Sequence, residues 1–372
     1  MPSQPEIALL VSSYNRAEHL RRALLSIAAQ RDVQGKIEVV VTDDGSTDGS
    51  HEVVRQFAAS VDFPVRMTTH PHASFQLARC RNEGVAANAA PYLLFLDGDC
   101  VLPPDHVAQH LAVRKKNFVM AGDCARLDEA ASAAVTDDQI RAGNLFPFAP
   151  PKELARLRSQ HRKARFYALI RHPAKPKLIG NNVGLWRTDY ERVNGYDENF
   201  VGWGCEDDDL RLRLRRAGVH IASILDRTFT YHLWHPIDPT ATANWRDGAN
   251  VKRLQRAGRL TACRWGLQKK ELSDLKIRVI GEPLQIAAAK AVLNGLPPDT
   301  TSGPDIEVVV SPGNGSFSGK AECNLLVITD PAQASQQLLR KAHVIVGRTR
   351  PLTQNQLSFE LAPVDEVIRK VA

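Results

Sequence analysis

Three nearly unbroken apolar runs, Ile7–Ser12, Ile37–Val41 and Tyr92–Leu96, mark the first hundred residues. Runs of this length suit strands covered on both faces of a sheet. A shorter strand is predicted over Val65–Thr69. Between the first two runs, Leu20, Ala23, Leu24, Ile27 and Ala28 recur at helical spacing up to Gln30. After the second, a Gly-Ser-Thr-Asp-Gly stretch supplies a turn and N-cap residues for a helix from about Ser50. SFQLARCRNEGVAANAA then reads as a helix that feeds the third run. Strands alternating with helices predict an α/β protein with a doubly wound, mostly parallel, Rossmann-like sheet.

Beyond Pro103 the pattern predicts a helix from Asp105 through Val113 and a strand at FVMAG. Thr188 with Glu191 predicts a capping box for a short helix ending at Asn194-Gly195. The acidic run Glu206–Asp209 opens another helix, ending at Gly218. In the last part LKIRVI, IEVVVS, NLLVIT and HVIVG read as strands, and Pro283–Leu293 and Ala332–Leu339 as helices. The expected organisation is a domain over 1–265, with halves 1–125 and 126–265, followed by a small α/β domain over 266–372. SPGNGSFSGKAE in that domain lacks the spacing of a phosphate loop, with Asn314 and Ala321 at the key positions, and reads as a plain loop.

Composition narrows the class. The chain has 372 residues, 43% hydrophobic and 24% charged, an ordinary globular balance. No apolar run approaches the roughly 18 residues of a membrane span, and MPSQPEIALLVSSYN has no basic region before its apolar stretch, so a cytoplasmic protein is expected. The six cysteines form no C-x-x-C pair, which fits free thiols. The net charge of +7 attracts acidic partners. Residues 152–177 concentrate that charge, with nine Lys or Arg against Glu153. Leu154, Leu157, Ala164 and Ala168 give the segment one apolar stripe. It is either an amphipathic helix touching anionic lipid or an acidic acceptor, at the inner face of a membrane in the first case, or a solvated helix or active-site loop packed by the stripe. The stripe is short and weakly apolar, which favours the second reading.

The candidate chemistry lies at strand ends. Tyr92–Leu96 stops at Asp97-Gly98-Asp99, and Ile37–Val41 leads to Asp43-Asp44. Open α/β sheets bind ligands beyond the carboxyl ends of their strands. Two carboxylates so close call for a cation, and hard oxygen ligands suit Mg²⁺ or Mn²⁺ shared with substrate phosphates.

VSSYNR, VVVTDDGSTDGS, ARCRNEG and FLDGDC, in this order, resemble the nucleotide-binding half of family 2 glycosyltransferases, which share the GT-A fold. The resemblance implies that Asp44 hydrogen-bonds uracil, that Asp97 approaches the ribose and that Asp99 ligates the metal bridging the diphosphate. An ionised Asp suits uracil, whose imide N–H is a donor. Asp43 is expected to support its loop, and Arg79 or Arg81 to offer a charge-assisted bond to phosphate. NGYDENFVGWGCEDDDL is similar to the NGF…WGWGGEDDD motif of β-1,4-galactosyltransferases and bacterial chondroitin-type polymerases, with Val201 and Cys205 as departures. This implies that Trp203 lines the acceptor site, Glu206 holds an acceptor hydroxyl and Asp207 is the general base. Asp208 and Asp209 are assigned to capping or to pairing with Arg211–Arg216.

A metal-binding His is expected after a strand-like ILDRTFTYHLWH, with His232 the first choice and His235 the second. Trp234 and Trp245 would stack on sugar, close a lid or pack. The implied partners are a UDP-sugar donor, with galactose or N-acetylgalactosamine, and a glycan acceptor of surface polysaccharide, with Mn²⁺ or Mg²⁺ as cofactor. No nucleic-acid partner is expected. A transferase acting on a peptide or small molecule, and a silent sugar-nucleotide-binding protein, are the alternatives.

Overall fold

The computed structural model describes residues 4–170, 172, 175–236, 248–255, 260–271, 274–283, 304–311, 315–328 and 335–346. The chain forms two compact units, Met1–Leu254 and Gln255–Ala372. The first unit begins with a strict alternation of β1 (Ile7–Ser13), α1 (Ala17–Ala28), β2 (Ile37–Asp43), α2 (Ser50–Ser60), β3 (Val65–Thr69), α3 (Leu77–Ala86) and β4 (Tyr92–Asp97). It continues through β5 (Cys100–Val101), α4 (His106–Val113), β6 (Phe118–Ala121), β7 (Cys124–Arg126), α5 (Glu129–Ala134), α6 (Asp137–Ala142) and α7 (Pro151–Leu169). β8 (Asn182–Trp186), α8 (Arg187–Arg192), α9 (Glu206–Arg216), β9 (His220–Ser223), β10 (Thr230–His232) and α10 (Ala249–Leu254) follow among the described residues.

The seven-stranded sheet has the order β3-β2-β1-β4-β8-β6-β9. β1, β2, β3 and β4 run parallel, whereas β8 lies antiparallel to both β4 and β6. Every residue of β1 and β2 is buried, as their apolar sequences predict for central strands. β3 lies at the sheet edge and is only partly covered. Leu20, Leu24 and Ile27 of α1 pack with Leu9, Val39 and Leu94 in one core. Each such buried side chain contributes roughly 1.5–3 kcal/mol. The parallel register sets Ser12 beside Asp97 and Ser13 beside Asp43, so β1 ends between two acidic strand ends.

A second sheet, β5-β10-β7, determines where the histidines go. β10 pairs antiparallel with β5 and brings His232 opposite Cys100, the residue after Asp99. α8 corrects one sequence expectation. The helix starts directly off β8 with Trp186 at the N-cap and no side-chain cap, so Thr188 is already inside the first turn. The entry is fixed by Arg187, whose N–H donates to Pro91 O and whose guanidinium donates to Ala90 O and Val85 O. The capping box that does form is Thr136 with Gln139, at the start of α6.

The second unit contains a parallel sheet of β11 (Ile277–Ile280), β12 (Ile306–Ser311), β13 (Cys323–Ile328) and β14 (Val344–Val346), adjacent in chain order. Its core includes Val309, Leu326 and Ile328, with Leu338 from α11 (Gln336–Lys341). The helix expected over Pro283–Leu293 lies outside the described residues from 284 onward, as do 312–314 and Trp245. No helix among the described residues is long and apolar enough to cross a membrane.

Candidate active site

The carboxyl end of β2 carries two aspartates with different surroundings. Asp43 Oδ2 accepts from Ser46 N at 2.9 Å, Thr69 Oγ1 at 2.9 Å and His51 Nε2 at 3.0 Å, which ties its loop together. Burial pushes the Asp43 carboxyl up, but these hydrogen bonds outweigh it and leave the group lowered. Asp44 is also buried. His70 Nε2 lies 2.9 Å from Asp44 Oδ1, and Gln76 N donates to Asp44 Oδ2 at 3.0 Å. His70 Nδ1 lies 2.8 Å from Glu83, so one imidazole bridges two carboxylates. Next to Asp44, the Tyr14 and His72 rings stack at 4.1 Å.

At the end of β4, Gly98 is enforced by close approach. Its N–H donates to Ser12 O at 2.7 Å, and a Cβ there would lie 2.9 Å from that oxygen. The turn sends its flanking aspartates to different partners. Asp97 faces Arg81 at 3.3 Å, while Asp99 faces His235 Nε2 at 3.2 Å and His232 Nε2 at 3.6 Å. Asp97 is raised to about 6 by its recessed position and by Asp99 and Asp207, against the pull of Arg81. For Asp99, burial raises the carboxyl, but the His235 hydrogen bond and the two imidazoles outweigh it and hold it at about 2. Burial lowers His232, whereas the bond to Asp99 raises His235. Ligand atoms of Asp99, His232 and His235 all lie within 4.8 Å of one another. One carboxylate oxygen and two imidazole nitrogens form a mixed donor set that fits Mn²⁺ better than Mg²⁺.

The third component precedes α9. Gly202, Gly204 and Cys205 all have positive φ, at +81°, +94° and +75°, and Asn250 Nδ2 donates to Val201 O and Gly204 O across this loop. The loop leaves Trp203 40% exposed and opens α9 on four acids. Acidic groups in a first turn are favoured by the helix dipole, yet their surroundings separate them. Asp209 pairs with Arg213 at 2.7 Å, both fully buried, and Asp208 pairs with Arg211 at 3.1 Å. Asp207 Oδ1 accepts from Arg81 Nη1 and Tyr196 Oη, both at 2.9 Å, and Oδ2 accepts from Gly180 N at 2.8 Å. Glu206 is buried, and burial together with Asp207 pushes it up to about 8, against Arg81.

Among the predicted residues, Arg81, Asp97 and Asp207 form one cluster, and Asp99 and His232 another that also takes in His235. Arg81 is buried at 1% exposure with its donors turned to Asp97, Asp207 and Tyr196, so it is committed to carboxylates where a phosphate contact was expected. The reason is its place on α3, where Ala78, Arg81, Asn82 and Val85 form the buried stripe. Arg79 is turned outward, pairing with Glu83 at 2.8 Å. Sequence reasoning missed His70 and Tyr196. His70 follows the end of β3, a strand-end position like those of Asp44 and Asp97, and that placement was a usable signal. Nothing local in NGYDE marks Tyr196.

The sequence model described as Glycosyl transferase family 2 matches residues 8–169, and that of the N-terminal domain of galactosyltransferase matches 160–236. Together they span every side chain of the two clusters. The chain is 31% identical over 229 residues to a validoxylamine A glucosyltransferase of Streptomyces hygroscopicus subsp. jinggangensis, covering 58% of this chain and 52% of that protein. It is 24% identical over 266 residues to a chondroitin synthase of Escherichia coli, covering 67% of this chain and 37% of that one. The chain thus spans about half the length, or less, of these curated relatives. A crystal structure of S. aureus TarS 1–349 with UDP-GlcNAc is similar at 16% identity and a TM-score of 0.47, covering 67% of this chain and 65% of that one.

Proposed function

The chain belongs to the family 2 glycosyltransferases through residues 8–169, and from that premise we propose that it is an inverting, metal-dependent enzyme transferring a hexose or N-acetylhexosamine from a UDP-sugar to a glycan acceptor. The observation that carries this reading is the adjacency of two unlike acidic centres at one strand end. Asp99 meets His232 and His235, and Asp97, two residues away, meets Arg81 and through it Asp207.

Asp207 is the base in this reading. As the acceptor hydroxyl attacks the anomeric carbon, its O–H bond breaks and the proton passes to Asp207. Oδ2 has Gly180 N as its hydrogen-bond donor and keeps a lone pair for that proton. Arg81 and Tyr196 fix Oδ1 and so orient the carboxylate. A single base acting from the side opposite the leaving group inverts the anomeric centre. Glu206 holds the acceptor hydroxyl, and Trp203 walls the acceptor. Asp44, oriented by His70, reads the uracil imide, Asp97 meets the ribose, and Arg79 takes the phosphate contact that Arg81 leaves. Asp99, His232 and His235 would hold a divalent cation, which would supply Lewis-acid neutralisation of the departing diphosphate.

The galactosyltransferase-type match over 160–236 favours galactose or N-acetylgalactosamine as the sugar, and the likeness to a chondroitin synthase favours a polysaccharide product. A second reading, glucosyl transfer to a small-molecule acceptor, is favoured by the relative named a validoxylamine A glucosyltransferase. Transfer from a panel of UDP-sugars in the presence of Mn²⁺ separates the two. In the Asp207→Asn variant, transfer falls by about 10²–10⁴-fold while UDP binding persists. Transfer at the wild-type rate in that variant would remove Asp207 from its role.

A further inference from the structure

The segment Lys175–Gly180 has two faces. On one, Gly180 N–H caps Asp207 Oδ2, and a Cβ at Gly180 would fall 2.3 Å from Arg81 Nη1 and 2.5 Å from Asp207 Oδ1. On the other, Lys175, Lys177 and Ile179 form one wall of a cleft of about 400 Å³. Ile179 of this lining directly precedes Gly180, whose N–H meets the carboxylate of Asp207. A volume of this order is typical of small-ligand sites, which span roughly 300–1,000 Å³.

One face of α7 also lines the cleft, including Arg156, Gln160, Lys163 and Tyr167 at i, i+4, i+7 and i+11. A helix face turned toward a sheet is ordinarily apolar. This one is polar and cationic, although α7 does pack through Leu157 and Ala164. Arg156 is neutralised by Asp123 at 2.6 Å and Glu153 at 3.0 Å. Lys177 reaches Asp208 at 3.8 Å, but that carboxylate already pairs with Arg211. Among the described residues, no carboxylate lies within ion-pair distance of Lys163 or Lys175. The cleft therefore holds uncompensated positive charge on two walls, beside the ring of Tyr167 and the apolar side chain of Ile179.

We propose that this cleft seats an anionic group of the acceptor, a carboxylate or phosphate borne by the sugar unit next to the attacking hydroxyl. The inference rests on the glycosyltransferase reading of Asp207 given above. Lys163 and Lys175 bind the charge, and the Ile179–Gly180 link sets the distance from that charge to the base. The basic character of 152–177 is then assigned to substrate selection, with Lys163 and Lys175 the specificity-determining residues.

The test uses the full chain with UDP and Mn²⁺ and titrates three probes: glucuronate, glucose 6-phosphate and uncharged glucose. At least one anionic probe is expected to bind about tenfold or more tighter than glucose, and the Lys163→Ala/Lys175→Ala variant to lose that preference. Preference for glucuronate or for glucose 6-phosphate identifies the anion. UDP affinity stays unchanged in the variant, because neither lysine belongs to the donor site. Equal binding of all three probes by the wild type, or an anion preference that survives in the variant, overturns the proposal. Failure of the donor reading registers separately, as absence of Mn²⁺-dependent UDP binding in the wild type.

Discussion

The two acidic centres at the end of β4 start from the same chemistry and meet their partners by opposite means. Asp97 and Asp207 converge on Arg81, a cation supplied by the chain and fully enclosed. Asp99 meets two imidazoles, which balance it only when protonated. The first centre has its counter-charge without any ligand and a fixed geometry, as the proposed base requires. The second offers three donor atoms converging within 4.8 Å and suits a cation from outside. A single glycine, Gly98, divides the two. In the proposed mechanism the fold keeps its proton acceptor ready, and a cation at the second centre would neutralise the leaving group.

The comparison is broken most severely at Arg81. Arg81→Met removes a fully buried guanidinium and leaves the partly exposed Asp97 and Asp207 without that counter-charge, and loss of one partner from a buried pair costs at most about 3–5 kcal/mol. The expected result is a large fall in the urea midpoint with an unchanged slope. A small change would mean that water, and not Arg81, balances the two carboxylates.

Glu206 sharpens the comparison from the pH side. Its carboxyl is raised from 4.5 to about 8 in the folded protein, chiefly by burial. The folded state therefore holds a proton that the unfolded state has released between these values, and stability falls as pH rises through that window. Glu206→Gln removes this slope, so its melting temperature relative to wild type climbs from pH 5 to pH 9. Parallel profiles for the two proteins would contradict the assignment.

The smallest effect concerns Cys205, a non-glycine residue at φ +75° where the resembling motif carries glycine. Cys205→Gly relieves that backbone strain and is expected to stabilise the fold by up to about 1 kcal/mol, measured by thermal denaturation. Loss of stability in this variant would mean that the partly buried thiol packs better than its backbone is strained.

Much of this was legible in the chain. The apolar runs at Ile7, Ile37 and Tyr92 announce buried parallel strands, and the aspartates that end them sit where the strands deliver them. What stayed hidden depends on contacts distant in sequence. β8 lies antiparallel between β4 and β6, partners far from it along the chain, and nothing in NVGLW encodes that direction. His232 and His235 meet Asp99 through the β5–β10 register, so the sequence could rank them but could not reveal that both face one carboxylate. The burial of Arg81 stayed hidden for a simpler reason. An arginine in a helix is normally solvated, and only its place in the stripe of Ala78, Asn82 and Val85 marks it as interior.

In the proposed mechanism Asp99, with His232 and His235, would hold a cation while Arg81 already orients Asp207. Calorimetric titration of UDP into wild type, Asp99→Ala and Asp207→Asn proteins, with Mn²⁺ and then with EDTA, tests it directly. The account predicts Mn²⁺-dependent binding in wild type and in Asp207→Asn, and loss of that dependence in Asp99→Ala. UDP binding that ignores EDTA in the wild type, or Mn²⁺ dependence that survives in Asp99→Ala, would contradict it.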